Sequence, residues 1–170
     1  IDEKVKIKPI IYGGGQQKGM RSGTENVPGA AALGEAAKEI YENFDEKIAH
    51  MYALKKHFIE EVTKIEGVTI NGKTGEDSAP QIVSVTIQGV RSEVMLHSLE
   101  EKEIYVSAGS ACSSNKPAPS KTLQGIGLKK ADLEGTIRFS FCVNTTEAEI
   151  DYAIEQLKEI IPFRRKFTRH

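Results

Sequence analysis

The sequence predicts an α+β fold, within the broad class of mixed α/β proteins, in which a small mixed or antiparallel sheet carries helices on one face. Strand-like and helix-like runs interleave after residue 67, and several strand runs are joined too tightly for parallel crossovers. Hydrophobic residues make up 39% of the 170 positions, which is enough for a core. This length suits one domain, or a small domain with part of another.

The charge composition argues against several classes of function. The chain has 23 basic and 24 acidic residues, a net charge of −1, and therefore no general attraction for nucleic acid or anionic membrane. No run approaches the roughly 20 apolar residues of a membrane span, and no signal segment opens the chain. We expect a cytoplasmic protein without nucleic-acid or membrane partners.

The start at Ile1, without an initiator methionine, is typical of the middle of a larger fold and predicts a fragment.

The first 66 residues predict a loop followed by a long helical region. Residues 5–11 favour extended backbone, and 13–19 form a glycine-rich loop. After Pro28, apolar residues recur every three or four positions until Gly67. Asp45 is a candidate cap within this pattern, which therefore predicts either one bent helix or two nearly continuous helices.

The remaining residues predict alternating short elements. Strands are expected at 68–72 with its turn, 82–87, 104–106 and 136–141, and helices after caps at Ser92, Ser120 and Thr145–Thr146. The last helix opens with a capping-box pattern that includes Glu149. Alternation places Val83, Val85 and Ile87 on one face of their strand, and Ile137, Phe139 and Phe141 on one face of theirs.

The glycine-rich stretch 13–19 and the following residues 21–24 are the first candidate site. The glycines do not match G-x-G-x-x-G, and the pair Gly14 and Gly19 lacks the Lys-Ser/Thr that a P-loop requires. Backbone amides, an arginine and a threonine hydroxyl can nevertheless hold a phosphate. A purely structural turn into the helix is the alternative interpretation.

The second candidate is the loop 107–119, which carries Cys112. Its side chains are small, so Cys112 lies among hydroxyls, glycine and alanine rather than bulky apolar groups, and Lys116 would favour the thiolate. A reactive thiol and an ordinary loop cysteine both remain open. The other cysteine, Cys142, has apolar neighbours at the end of a strand and is expected to pack.

Arg138 is the third candidate, on the face of its strand opposite the apolar row. A guanidinium there either presents two parallel N–H groups to a carboxylate or is an ordinary surface arginine.

No metal site is expected, because the cysteines lack zinc-site spacing and the histidines lack H-x-x-x-H or H-x-x-H spacing. A cysteine-protease pairing of Cys112 with His97 lacks an orienting motif.

Three ordered stretches together resemble the cysteine desulfurases of the NifS/IscS type. They are Gly13–Pro28, Ser107–Ser114, and Thr136–Ser140 followed by Asn144–Glu147. Such enzymes belong to the class V aminotransferases and are pyridoxal-phosphate proteins of fold type I. The resemblance implies the C-terminal portion of one, with the end of the large cofactor-binding domain at 1–27, a linking helix region at 28–66, and a small domain carrying the catalytic cysteine loop at 67–170.

The resemblance also implies a function and roles for the candidate residues. The family consists of homodimers that use pyridoxal phosphate to convert L-cysteine to L-alanine and pass the sulfur, as a persulfide, to an acceptor or iron–sulfur scaffold protein. By resemblance, Thr24 reaches across the dimer to the cofactor phosphate of the other subunit. Arg138 holds the substrate carboxylate, and Cys112 is the sulfur-accepting nucleophile.

The sequence departs from the family pattern at Gln16–Gln17, where Gln-Glu is common, and near Cys142, where a glycine often occurs. No histidine is followed by the lysine of the Ser-x-His-Lys context, so the lysine, the ring-pairing acid and the stacking histidine are expected before Ile1.

Three alternatives stay open beside the desulfurase interpretation. One is a selenocysteine lyase or another class V aminotransferase relative. Another is a non-enzymatic sulfur carrier or interaction module that uses Cys112 alone. The third is a phosphate-binding regulatory module, which needs the glycine loop but neither Cys112 nor Arg138.

Overall fold

The computed structural model describes residues 2, 4, 5, 8–108 and 120–167. The chain divides into two compact units, Ile1–Phe44 and Asp45–His170, which are described separately below. The domain boundaries implied by the family resemblance remain a prediction. No helix in the described ranges is long and apolar enough to cross a bilayer.

The first unit contains the glycine-rich segment and helix α1 (Val27–Tyr41). A short 3-10 turn, Gln16–Gly19, forms within the segment that was predicted as a loop. Asn26 caps α1, since its Oδ1 accepts a hydrogen bond from the Gly29 amide at 3.1 Å. The residues described between 8 and 12 are not in a strand, so the extended run expected there does not pair.

The long helical pattern is interrupted once. Helix α2 runs from Phe44 to Val62, and Asn43 just before it has φ of 52°. This left-handed conformation, which asparagine tolerates better than most residues, breaks the helical hydrogen-bond ladder. Two helices were one of the two predicted arrangements and are confirmed. Asp45 lies in the first turn of α2 rather than capping it, and α2 ends well before Gly67.

The second unit is built on a four-stranded sheet. Its strands are β1 (Val68–Asn71), β2 (Ile82–Ile87), β3 (Ser107–Ala108) and β4 (Thr136–Ser140), in the order β1-β2-β4-β3. All three neighbouring pairs are antiparallel, which confirms the predicted small antiparallel sheet.

The third strand begins later than expected. Residues 104–106 were predicted as a strand, but pairing with β4 starts only at Ser107. Ile104 and Val106 are partly buried against the core. Their apolar spacing therefore reflects packing of a connecting segment, which the sequence pattern cannot distinguish from strand pairing.

Besides α2, the described part of the second unit contains four helices. They are α3 (Ser92–Glu100), α4 (Lys121–Gly125), α5 (Lys130–Glu134) and α6 (Glu147–Arg165). Ser120 caps α4 and Thr146 caps α6 as predicted, the latter in a capping box with Glu149. The predicted cap at Ser92 is wrong, because Ser92 is the first helical residue and Arg91 occupies the cap position without a side-chain bond.

The core lies between one face of the sheet and helices α2, α3 and α6, as the predicted one-sided arrangement requires. Its nearly inaccessible side chains are Leu54, Phe58, Val62, Val83, Val85, Ile87, Met95, Leu99, Ile137, Phe139, Ile150, Ile154, Leu157 and Ile161. The apolar sets predicted for β2 and β4 are all among the buried residues. The opposite face of the sheet is left for serine, threonine, asparagine and arginine side chains.

Candidate site on the polar face of the sheet

Strand pairing aligns four polar residues in one row across the sheet. Asn71 pairs with Ser84, Ser84 with Arg138, and Arg138 with Ser107. Because side chains alternate between faces along a strand, these residues share the face opposite the core. Arg138 therefore lies on the polar face of β4, as predicted, and the strand register places it between two serines.

Arg138 is exposed, and one of its nitrogens is fixed. Its Nη2 donates a hydrogen bond to Ser107 Oγ at 3.1 Å, across the β3–β4 pair. A guanidinium carries five N–H groups, so this bond leaves donors for a planar anion. An exposed, partly anchored guanidinium of this kind is suited to binding a carboxylate.

The polar side chains beside this row form a hydrogen-bonded network. Asn71 Nδ2 donates to Ser84 Oγ at 3.2 Å and to Thr86 Oγ1 at 2.9 Å. The hydroxyls of Thr86 and Thr136 lie 2.8 Å apart, and Thr136 donates to the Asp132 carbonyl at 2.6 Å. Both threonines are buried, so the network satisfies polar groups that would otherwise be costly. This network was not predicted from the sequence, because its only signal there was the alternation of polar residues along the strands.

Cys112 lies outside the described residues. The described chain stops at Ala108, immediately after the residue that contacts Arg138, and resumes at Ser120. Cys112 follows Ser107 by five positions. The structure therefore does not bear on the role predicted for Cys112, which stays a prediction.

Cys142 does not pack as predicted, but is exposed just after β4. Its amide donates to Thr145 Oγ1 at 3.0 Å, and that hydroxyl donates to Cys142 Sγ at 3.6 Å. The hydrogen bond from the Thr145 side chain is the main cause that lowers the pKa of the Cys142 thiol. The strand ends at Ser140 and the chain then turns toward α6, which brings Cys142 to the surface.

The glycine-rich segment of the first unit is held by its own side chains. Ser22, which is buried, donates from Oγ to the Gly14 carbonyl at 2.7 Å. The amide of Gly23 donates to Gln16 Oε1 at 3.2 Å. These two bonds fold the segment back on itself, so it is a structured turn.

Thr24 follows this turn and is exposed. The Arg21 guanidinium donates from Nη1 to the Thr24 carbonyl at 3.3 Å, which places a cation beside the threonine backbone. An exposed hydroxyl with a neighbouring guanidinium is a donor set of the kind that binds phosphate. The residues present therefore fit the phosphate of a cofactor.

A separate cluster joins α2 and α6. His57 Nε2 lies 2.6 Å from Asp151 Oδ1, and ligand-type atoms of His57, Glu147 and Asp151 all lie within 4.8 Å of one another. The histidine and the carboxylates come from different helices, so spacing along the sequence could not reveal the cluster. Its hydrogen bond links two of the three helices that cover the sheet.

Residues 3–153 match the family described as aminotransferase class V. The chain belongs to this family. Among curated relatives, it is 36% identical over 165 residues to the mitochondrial cysteine desulfurase of Eremothecium gossypii, covering 97% of this chain and 33% of the relative. It is 37% identical over 155 residues to cysteine desulfurase IscS of Vibrio campbellii, covering 91% and 38%. The resemblance noted from the sequence is thereby confirmed.

Two solved structures of NifS-like proteins have the same fold as this chain. A NifS-like protein superimposes with a TM-score of 0.82 at 32% identity, covering 96% of this chain and 41% of that one. A NifS-like protein from Rickettsia africae gives a TM-score of 0.75 at 28% identity, covering 93% and 41%. The chain spans less than half the length of these relatives.

Proposed function

We propose that this chain is the C-terminal part of a pyridoxal-phosphate-dependent cysteine desulfurase, which converts L-cysteine to L-alanine and takes the sulfur onto Cys112. The observation that carries the proposal is the exposed guanidinium of Arg138. Its hydrogen bond to Ser107 lies at the sheet edge from which the Cys112 segment continues. Relatives named cysteine desulfurase, 36% and 37% identical to this chain, support the same assignment.

Arg138 is assigned to the carboxylate of the substrate amino acid. A guanidinium can bind both oxygens of a carboxylate through two parallel N–H bonds, which fixes the orientation as well as the position of the ligand. Free L-cysteine has such a carboxylate, whereas a cysteine inside a protein does not. This role therefore favours the free amino acid as substrate.

Thr24 and Arg21 are assigned to the phosphate of pyridoxal phosphate. We propose that Thr24 serves the cofactor of the other subunit in a homodimer, and that the Schiff-base lysine is supplied from outside residues 1–170. The segments 1–27, 28–66 and 67–170 would then be the end of the large domain, the linking helices and the small domain. When bound, the cofactor supplies the electron withdrawal that makes the carbon–sulfur bond of cysteine cleavable.

Cys112 is assigned as the nucleophile. Its thiolate attacks the substrate sulfur, so that a sulfur–sulfur bond forms on Cys112 while the substrate carbon–sulfur bond breaks. The small side chains of residues 107–115 suit a segment that must carry the resulting persulfide to an acceptor, such as an iron–sulfur scaffold protein in the cytoplasm.

The two cysteines provide the experiment. In the intact protein with cofactor, Cys112→Ala should still bind L-cysteine but release almost no sulfide under reducing conditions. Mass spectrometry of the untreated protein should find the additional sulfur on Cys112. Cys142→Ala is the matched control and should retain turnover. Normal sulfide release by Cys112→Ala, or loss of turnover only in Cys142→Ala, would refute the assignment.

A further inference from the structure

We infer that Ser107 is a positioning residue, which holds the guanidinium of Arg138 in the orientation that receives the carboxylate of the substrate. The inference rests on the proposed function, because it assigns to Ser107 a part of the carboxylate site. The contact that carries it is the bond from Arg138 Nη2 to Ser107 Oγ at 3.1 Å.

The strand register makes this contact specific. Ser107 is directly opposite Arg138 in the antiparallel β3–β4 pair, so both side chains leave the sheet on the same face. Arg138 is exposed while Ser107 is partly buried. The short serine side chain is therefore an anchor for an arginine that would otherwise sample many rotamers in solvent.

The serine on the other side of Arg138 has a different partner. Ser84 also pairs with Arg138 in register, but its hydroxyl accepts a hydrogen bond from Asn71 Nδ2 at 3.2 Å. Within residues 8–108 and 120–167, the side-chain hydrogen bond recorded for Arg138 is the one to Ser107. Two serines thus flank the same arginine in one row, and only Ser107 holds it.

The geometry also keeps donors available for the ligand. Nη2 carries two N–H groups, and the bond to Ser107 uses one of them. The second, together with those of Nη1 and Nε, remains for a carboxylate. Removing the Ser107 hydroxyl leaves this set intact but lets the guanidinium rotate, which should weaken substrate binding more than the chemical step.

Steady-state kinetics of the intact, cofactor-loaded protein with L-cysteine tests the inference. Ser107→Ala should raise KM about three- to tenfold and change kcat by less than about twofold, because Ser107 acts on the substrate only through Arg138 and its loss removes about one ordinary net hydrogen bond. Ser107→Thr keeps a hydroxyl on a strand residue and should restore KM. Ser84→Ala is the matched control and should leave both constants unchanged. Calorimetric titration with L-alanine, which has the same carboxylate, should show the same order of affinities without turnover.

Arg138→Lys separates this inference from the proposed function. If Arg138→Lys binds L-cysteine and L-alanine normally, the carboxylate site itself is wrong. If Arg138→Lys is impaired while Ser107→Ala is normal, only the positioning role fails. In the Arg138→Lys background, Ser107→Ala should have little further effect on KM, because the guanidinium that Ser107 orients is absent. A full additional rise in KM there, or an equal loss after Ser84→Ala, would overturn the inference.

Discussion

The ring of Phe58 lies against the ring of Phe139, with the centroids 4.7 Å apart and the planes inclined by 51°. Phe58 is on α2 and Phe139 on β4, and both are buried. Phe141 meets the same Phe58 ring edge-on at 5.6 Å. This aromatic group packs α2 against the strand that carries Arg138, so the stability of the sheet and the position of the site depend on the same contacts.

Phe58→Ala should therefore destabilise the fold strongly. Truncating a fully buried phenylalanine removes its apolar contacts and leaves a cavity, at a typical cost of about 3–5 kcal/mol. Urea unfolding followed by circular dichroism measures the loss. Tyr105→Ala is the control, because Tyr105 is 78% exposed and its truncation should change the unfolding free energy by less than about 0.5 kcal/mol. Similar losses in the two variants would contradict the described packing.

Lys55 is a buried cation that fixes a loop. Its Nζ donates to Ser78 Oγ at 2.7 Å and to the Ala79 carbonyl at 2.8 Å, and burial lowers its pKa. Lys55→Ala should cost about 1–3 kcal/mol, since both acceptors lose their donor. Lys56→Ala, at an exposed neighbouring position, should be nearly neutral in the same urea titration. Equal effects at the two lysines would show that the loop does not depend on Lys55.

Glu61 should make stability depend on pH. Hydrogen bonds from Lys64 and Lys158 lower its pKa from 4.5 to about 2. A carboxylate whose pKa is lower in the folded state stabilises that state above its unfolded pKa, and the contribution is lost as pH falls. The stability advantage over Glu61→Gln should therefore be complete above pH 4.5 and disappear by about pH 2.

Lys158→Met provides the control for this prediction. Lys158 is on α6 and donates to Glu61 Oε2 at 3.0 Å, so its removal should shrink the pH-dependent part of the difference. Thermal unfolding of the wild type, the two single variants and the double variant between pH 2 and 6 gives the measurement. A difference between the wild type and Glu61→Gln that stays constant over this range would contradict the assignment.

The proposed role of Thr24 in the partner subunit's site can be tested with mixed dimers of the intact protein. Thr24→Val should weaken cofactor retention, because a hydroxyl bond to the phosphate is lost. One subunit then carries Thr24→Val and the other Cys112→Ala, after each variant is shown to be impaired as a homodimer. If Thr24 acts across the interface, both defects fall in one site and the other site is intact.

Such mixed dimers should recover roughly half of the wild-type activity per dimer, provided that the two sites work independently. Tagging the two subunits differently allows the mixed dimers to be purified before assay. Activity no higher than that of the impaired homodimers would place Thr24 in the site of its own subunit and end the proposal of a shared site.

Much of the fold was predictable because its signals are local. Alternation along β2 and β4 identified the buried faces, and the pattern at Thr146 and Glu149 identified the start of α6. The strand predicted at 104–106 failed because apolar spacing does not distinguish residues that pack from residues that pair. The cap predicted at Ser92 is wrong because serine suits either the cap position or the first helical turn.

The candidate site was predictable only in part. Alternation placed Arg138 on the polar face, but its contact with Ser107 depends on the register of two strands far apart in the sequence. The same limit applies to His57 and Asp151, which belong to different helices. The proposed roles of Thr24 and Cys112 came from the family resemblance and remain predictions.

The shortness of β1 has a consequence for association between molecules. An outer strand with many unpaired peptide groups invites another chain to add to the sheet, and natural proteins often avoid this by keeping such strands short. β1 forms one border of the sheet and spans four residues, Val68–Asn71. This border therefore offers no long template for a foreign strand, so the polar surface beside it can face solvent with little tendency toward edge-to-edge aggregation at β1.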